Sequence, residues 1–104
     1  MSNEERRIAL HEKLVAVLGD SHVYFQPPES IKLTYPCIIY TLGSIDSNHA
    51  DNKVYGQCKS YEITVITTDP DSDLPERMAC MPLCRHNRHF VSDNLYHDVY
   101  TMYY

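Results

Sequence analysis

Side chains that commonly bind zinc are concentrated in one short part of the sequence, where they are Cys80, Cys84, His86 and His89. Structural zinc sites usually take two ligands from one tight turn and two from further along the chain, whereas Pro82 interrupts this set. If the segment with His86 and His89 is a β-strand, the two histidines point to opposite faces. We therefore predict no metal ligands here, and interpret the cysteines as buried thiols and the histidines as surface residues.

Three aspartates, Asp69, Asp71 and Asp73, have the spacing of the first ligands of a calcium-binding loop. Such a loop also needs a glycine near its middle and a glutamate at its end, and Pro70 and Pro75 break the pattern. The segment instead predicts a turn that leads into a short helix, with Asp73 as the N-cap and Glu76 as its capping-box partner.

Catalytic motifs are not found in the sequence. With only 3 glycines there is no phosphate-binding loop, and neither G-x-S-x-G nor H-E-x-x-H occurs. Cysteine and histidine side chains could still meet in space, but their spacing does not predict such a pair. We predict a protein that is not an enzyme, with no catalytic residues and no cofactor.

Tyrosine is unusually frequent, with 9 Tyr against 2 Phe and no Trp. Tyr96, Tyr100 and Tyr104 share one face of a predicted C-terminal strand, because residues four apart in a strand point the same way. Tyrosine is enriched at subunit interfaces, where its ring is buried while its hydroxyl group stays near water. These three side chains either contact a partner or simply cover the sheet, and the sequence leaves both interpretations open.

The hydrophobic pattern predicts a single α+β domain over residues 1–104, in the order α-β-β-α-β-β. We expect an antiparallel sheet of about four strands, packed by an N-terminal helix and a short second helix, with Asp20–Tyr35 irregular. The predicted elements are an amphipathic helix over Asn3–Gly19, strands over Pro36–Leu42 and around Tyr61–Thr68, a short helix after Asp73, and strands over Leu83–Val91 and Leu95–Tyr104.

A polar segment, Gly43–Tyr55, separates the first two predicted strands. It is too long for a tight turn and too polar to pack, which is typical of a functional or mobile loop. We expect Asp46, Asp51 and Lys53 to make surface contacts with a partner from this loop.

Length and charge exclude several classes of protein. The chain has 104 residues, and its formal net charge of −5 argues against binding to nucleic acids or to anionic membranes. No apolar run reaches the roughly 20 residues of a membrane-spanning helix. The first residues do not resemble a signal peptide, so we expect the protein to remain in the cytoplasm, with its cysteines reduced.

Several segments are distinctive as a group: Phe25–Ser30, Tyr35–Tyr40, Asp69–Ser72 and Arg88–Tyr100. Together they resemble the tail terminator proteins of long-tailed bacteriophages and prophages, which are also called tail completion or head–tail joining proteins. The resemblance extends from about Leu10 to Tyr104, and its motifs are structural rather than catalytic.

This resemblance implies a small α+β protein of the virion, assembled in the host cytoplasm as a homohexameric ring. The ring would cap the tail tube, end its polymerisation and join it to the head–tail connector protein, while DNA passes through its channel without specific binding. Two alternatives belong to the same class, a head-completion or connector protein and a tail tube subunit. A third, of a different class, is a small metal-binding regulatory domain built on Cys80, Cys84, His86 and His89.

Overall fold

A computed structural model of the chain describes residues 3–28, 32–50 and 53–103. Two helices and five strands follow one another in the order α-β-β-β-α-β-β, which confirms the predicted α+β class. The elements are α1 (Asn3–Leu18), β1 (Val23–Phe25), β2 (Cys37–Ala50), β3 (Lys53–Thr67), α2 (Leu74–Ala79), β4 (Cys84–Ser92) and β5 (Leu95–Tyr103).

The five strands form one mixed sheet in the order β1-β2-β3-β5-β4. β1 runs parallel to β2, and the remaining pairs are antiparallel. The prediction of a wholly antiparallel sheet of four strands is therefore wrong at one edge. The missed strand lies in the segment that we expected to be irregular, because three residues are too few to show an alternating pattern.

Helix α1 confirms the predicted N-terminal helix. Leu10, Leu14 and Leu18 repeat every four residues and are almost completely buried against the sheet. Gly19 ends the helix with a positive φ of 79°, a conformation that glycine adopts without steric cost, and its N–H donates to the Val15 carbonyl at 2.8 Å.

Helix α2 also lies where it was predicted, with Pro75 in its first turn and with Leu74 and Met78 buried. The predicted capping box is wrong, because Asp73 makes no side-chain capping hydrogen bond. Its carboxylate lies 3.3 Å from the Arg77 guanidinium, and the Ser72 hydroxyl oxygen accepts a hydrogen bond from the Leu74 N–H instead.

Both helices contribute to a core on one side of the sheet, which we call the helix face. The core joins the leucines of α1 and the apolar residues of α2 to alternate residues of all strands except the exposed β4. Its strand members are Val23, Ile38, Tyr40, Tyr61, Ile63, Val65, Tyr100 and Met102. The register places Cys37, Ile66 and Val99 on the opposite face, and all three are still at least 95% buried.

The longest feature of the sheet is the hairpin formed by β2 and β3. Pairing continues through the segment predicted to be a polar loop, from Cys37↔Ile66 to Ala50↔Lys53. The loop prediction is therefore wrong for residues 43–50 and 53–55, whose backbone is extended and, apart from Gly43 and Tyr55 at two irregularities of the ladder, paired.

Among the described residues, neither helix is long and apolar enough to cross a membrane.

Candidate interaction surfaces

A tight hairpin joins β4 to β5 and determines which of their side chains meet. Asp93 and Asn94 occupy its turn with φ values of 52° and 62°, as a two-residue turn with a right-handed strand twist requires. Aspartate and asparagine tolerate this conformation better than most residues. The turn places Ser92 opposite Leu95 and so begins the ladder between the two strands.

A β-bulge at Asn87 changes the direction of the side chains along β4. His86 pairs with Tyr100, and Arg88 pairs with Val99, which is adjacent to Tyr100 on β5. Asn87 lies between the two on β4 and has no partner in this register, so it is the extra residue of the bulge. As a result, His86 and His89 both lie on the helix face. Our prediction that they point to opposite faces is wrong, because it assumed a regular strand.

The two histidines converge on one carboxylate. The Oδ1 atom of Asp98 lies 3.0 Å from Nε2 of His86 and 2.9 Å from Nδ1 of His89, and Asp98 is only 6% exposed. A buried carboxylate needs hydrogen-bond donors, and two ring N–H groups on this oxygen supply them. The cluster therefore attaches the edge strand β4 to its neighbour β5.

The structure does not bring together the four residues that were weighed as zinc ligands. Cys80 is exposed at the end of α2, and Cys84 is half-buried at the start of β4, where burial raises the pKa of its thiol to about 11. Across the described chain, no group of three or more histidine, cysteine or acidic side chains is arranged to hold a metal ion.

The predicted burial of the cysteines is confirmed in part. Cys37 is fully buried, and burial raises the pKa of its thiol to about 11. Cys80 contradicts the prediction because it is exposed, and the side chain of Cys58 lies outside the described residues. Cys37, Cys80 and Cys84 are free thiols.

The tyrosines of β5 have different environments. Tyr96 is half-buried, with its ring stacked 6.3 Å from that of His89. Tyr100 has no exposed surface, so the partner contact is wrong for this residue and the other interpretation, a side chain that covers the sheet, is correct. Tyr100 lies on the face of β5 that the helices cover. Alternation within a strand predicts which residues share a face, but it does not predict which face is covered. Tyr104 lies outside the described residues.

The distal part of the β2–β3 hairpin, residues 45–50 and 53–59, extends beyond the rest of the sheet, and we call it the distal arm. β5 pairs with β3 only from Ser60 to Thr67, and β1 pairs with β2 only from Ile38 to Tyr40. Within the described strands, the two sides of the distal arm pair only with each other. The chain accordingly measures 51 Å along its longest axis and 24 and 23 Å along the others.

Two of the three predicted contact residues of the polar segment lie in the distal arm. Asp46 pairs with Cys58, and Lys53 pairs with Ala50 beside the end of the hairpin. Asp51 and the side chains of Asp46 and Lys53 lie outside the described residues.

A groove of about 400 Å³ lies between α1 and the corner that joins α2 to β4. Its lining is mainly apolar, with Met102 and Tyr103 among its residues, while Arg6 and Lys13 of α1 contribute two cationic side chains. We call it the corner groove. Sequence reasoning missed it, because its walls come from three separate parts of the chain.

Leu83 forms one side of the corner groove and is 73% exposed. Its φ of 59° lies in the left-handed region that leucine rarely adopts. Two backbone hydrogen bonds hold this corner: the Tyr103 N–H donates to the Leu83 carbonyl at 3.1 Å, and the Cys84 N–H donates to the Met81 carbonyl at 3.3 Å. The fold thus holds a large apolar side chain in solvent in an unfavourable backbone conformation, a combination associated with functional surfaces.

A second cavity, of about 280 Å³, is lined in part by Ser72, His89 and Asp98. The hydroxyl of Ser72 accepts from the Leu74 N–H, and His89 bonds to Asp98. In the described residues, no hydrogen bond joins this hydroxyl to a histidine, as an activated nucleophile would require.

Comparison of the sequence with protein-family models and with the curated proteins found no match in either case.

Proposed function

We propose that this protein is a structural subunit of a phage virion, which forms a ring that caps the tail tube, ends tail polymerisation and joins the tail to the head. The ring consists of copies of this chain, six by the resemblance described above. Its other partners are the tail tube protein and the head–tail connector protein.

The distal arm is the observation that carries this proposal. An isolated two-stranded hairpin is at best marginally stable in water, and three or more strands or a packed helix are usually needed. At about 3.4 Å per residue, the six residues from Ile45 to Ala50 extend roughly 20 Å. Because both outer edges of the arm lack a strand partner in the described chain, a neighbouring subunit or the tube is the natural source of further contacts.

The segments that carry the family resemblance support the proposal through their places in the fold. Arg88–Tyr100 forms most of the β4–β5 hairpin, Tyr35–Tyr40 leads into β2, and Asp69–Ser72 is the turn before α2. These segments build the sheet and its connections, as expected of motifs that define a structural subunit.

The charge of the chain agrees with a channel that DNA crosses without being held. A net charge of −5 gives no general attraction for phosphates, and attraction would slow the passage of DNA.

Replacing Asp46–Cys58 by Asn-Gly tests the role of the distal arm. Ile45 and Lys59 are a paired position of the ladder, so a two-residue turn can close the hairpin there. Every core residue named above lies outside the replaced segment. We expect the variant to fold, as judged by circular dichroism and a cooperative urea transition, but to form no ring by native mass spectrometry and to fail in tail assembly.

A matched control keeps the length of the arm and replaces Asp46, Asp51 and Lys53 by Ser. Rim contacts of such side chains contribute about 0–1 kcal/mol each, so ring formation should weaken but persist. Rings that form equally well without the arm would contradict the proposal. An open polymer would instead indicate a tube subunit, and a zinc-bound monomer would indicate a metal-binding domain.

A further inference from the structure

We propose that the Glu4–Ile8–Glu12 side of α1 in one copy docks into the corner groove of the next copy. This inference rests on the proposed ring and names the two surfaces that join its subunits. The contact is head-to-tail, because each copy contributes two different surfaces.

The corner groove requires an occupant with an apolar centre and acidic flanks. Its lining combines Leu83, Met102 and Tyr103 with the cationic side chains of Arg6 and Lys13. An apolar side chain placed here would leave water, and carboxylates beside it would meet two positive charges.

Helix α1 itself presents a surface of this description. Glu4, Ile8 and Glu12 are four residues apart and therefore lie along one side of the helix, within roughly 80° of one another. All three are exposed, and Ile8 is 44% exposed although the other large apolar side chains of α1 are buried or half-buried. An isoleucine flanked by two carboxylates complements the groove in both polarity and charge.

The two surfaces lie on different flanks of α1. Arg6 lines the corner groove beside β4 and β5, whereas Glu4 lines a separate small cavity beside Phe25 of β1 and Leu42 of β2. At 100° per residue, Arg6 and Lys13 are centred roughly 150° around the helix from the acidic side. One copy can therefore hold a neighbour on each flank.

This arrangement distinguishes a ring from a two-fold dimer. A two-fold contact that uses one flank of each copy would place like surfaces together, either glutamates against glutamates or Arg6 against Arg6, and both pairings are repulsive. A two-fold pairing of the unlike surfaces would require both flanks of α1 to face the same partner, although they lie on different sides of the helix. Unlike surfaces on two flanks repeat from copy to copy, and such a contact closes into a ring when the rotation permits.

Charge reversal tests the contact without removing core residues. Arg6→Glu and Glu12→Arg should each lower the fraction of ring at a fixed protein concentration by at least tenfold in native mass spectrometry. The double variant R6E/E12R restores opposite charges at every junction, so it should recover most of the wild-type fraction. Rising ionic strength should weaken the wild-type ring, because salt screens exposed charge pairs.

Leu83→Gly tests the apolar part of the contact. It removes the exposed side chain, and glycine adopts the positive φ without strain. We expect the variant to fold normally, but its fraction of ring should fall by at least tenfold, as in the single charge-reversal variants. Val91→Ser is the matched control, since Val91 is 58% exposed on β4 and does not line the groove, and its ring should persist.

The outcomes separate this inference from the proposed ring. Rings that survive Leu83→Gly and both single charge reversals would overturn the inference and leave the ring in place. A double variant that fails to recover while it remains folded would also overturn it. A wild-type chain that forms only monomers or two-fold dimers at every concentration would overturn the inference and the ring together.

Discussion

The hydroxyl group of Tyr100 donates a hydrogen bond to the Pro75 carbonyl oxygen at 2.8 Å. This bond joins the centre of β5 to the first turn of α2. Pro75 has no N–H to donate, and its carbonyl oxygen is the group that accepts this bond. Burial raises the pKa of Tyr100, with the nearby Asp98 carboxylate as a further cause in the same direction. Tyr100 therefore belongs to the packing between helix and sheet and not to a surface that a partner could contact.

Tyr100→Phe should lower the free energy of unfolding by about 1–2 kcal/mol, because the hydrogen bond from this fully buried side chain to the Pro75 carbonyl is lost. Chemical denaturation with urea at pH 7 measures the change. Tyr96→Phe is the control, and it should change stability by less than about 0.5 kcal/mol because that side chain is only half-buried. Equal effects of the two substitutions would contradict the special role of the Tyr100 hydroxyl.

Asp98→Asn should destabilise the chain by about 1–3 kcal/mol, since a neutral amide is a weaker acceptor than the carboxylate that two histidines share. The loss of stability should be greatest at the sheet edge formed by β4. Amide hydrogen exchange should therefore accelerate more in β4 than in β2. Asp93→Asn serves as the control, because asparagine suits the positive φ of the β4–β5 turn. Uniform acceleration across the sheet would show that the cluster does not act on β4 alone.

The elements predictable from the sequence are those whose side chains repeat with a clear period or follow a clear turn signal. The leucines of α1 follow a helical period, and β5 is a tyrosine-rich segment that follows a turn signal at Ser92–Asn94, so the predicted bounds of both lie within one or two residues of the observed ends.

The features that were not predicted have no periodic hydrophobic pattern in the sequence. The bulge at Asn87 inserts one residue and reverses which side chains share a face, so the cluster on Asp98 was not foreseen. The distal arm is polar because it covers no core, and the pattern that identifies a half-buried strand is missing there. The corner groove depends on tertiary packing between segments far apart in the chain.

Stability should fall as pH rises from about 9 to 11. Burial raises the pKa of the Cys37 and Cys84 thiols from 9.0 to about 11, so across this window the folded chain keeps protons that the unfolded chain has lost. The stabilisation is complete below pH 9 and decreases towards pH 11, and the raised pKa values of Tyr40 and Tyr100 act in the same direction.

Urea unfolding at pH 8, 9 and 10 measures this dependence. Cys37→Ala should flatten the curve above pH 9, whereas Val91→Ser, at an exposed side chain with no titratable group, should leave its slope unchanged. A curve that is flat to pH 10 in the wild type would contradict the burial of these thiols.

The cost of the left-handed backbone conformation at Leu83 can be measured by comparing the stability of two substitutions. A left-handed conformation costs a residue with a Cβ atom about 1 kcal/mol or more, and glycine avoids that cost. Leu83→Ala removes the exposed side chain and keeps the strain, whereas Leu83→Gly removes both. Since Leu83 is 73% exposed, neither substitution loses much buried apolar surface.

We therefore expect Leu83→Gly to be about 1 kcal/mol more stable than Leu83→Ala, and at least as stable as the wild type, in urea denaturation of the monomer at low concentration. Gly19→Ala provides the opposite comparison, because it introduces a Cβ atom at a φ of 79° where no neighbour lies within 4 Å, and only strain can lower its stability. A gain in stability with a loss of the ring in Leu83→Gly would show that the fold retains a strained leucine for its contact with another subunit. If alanine and glycine are equally stable at this position, the left-handed conformation of Leu83 costs nothing and gives no support to a functional role for the corner groove.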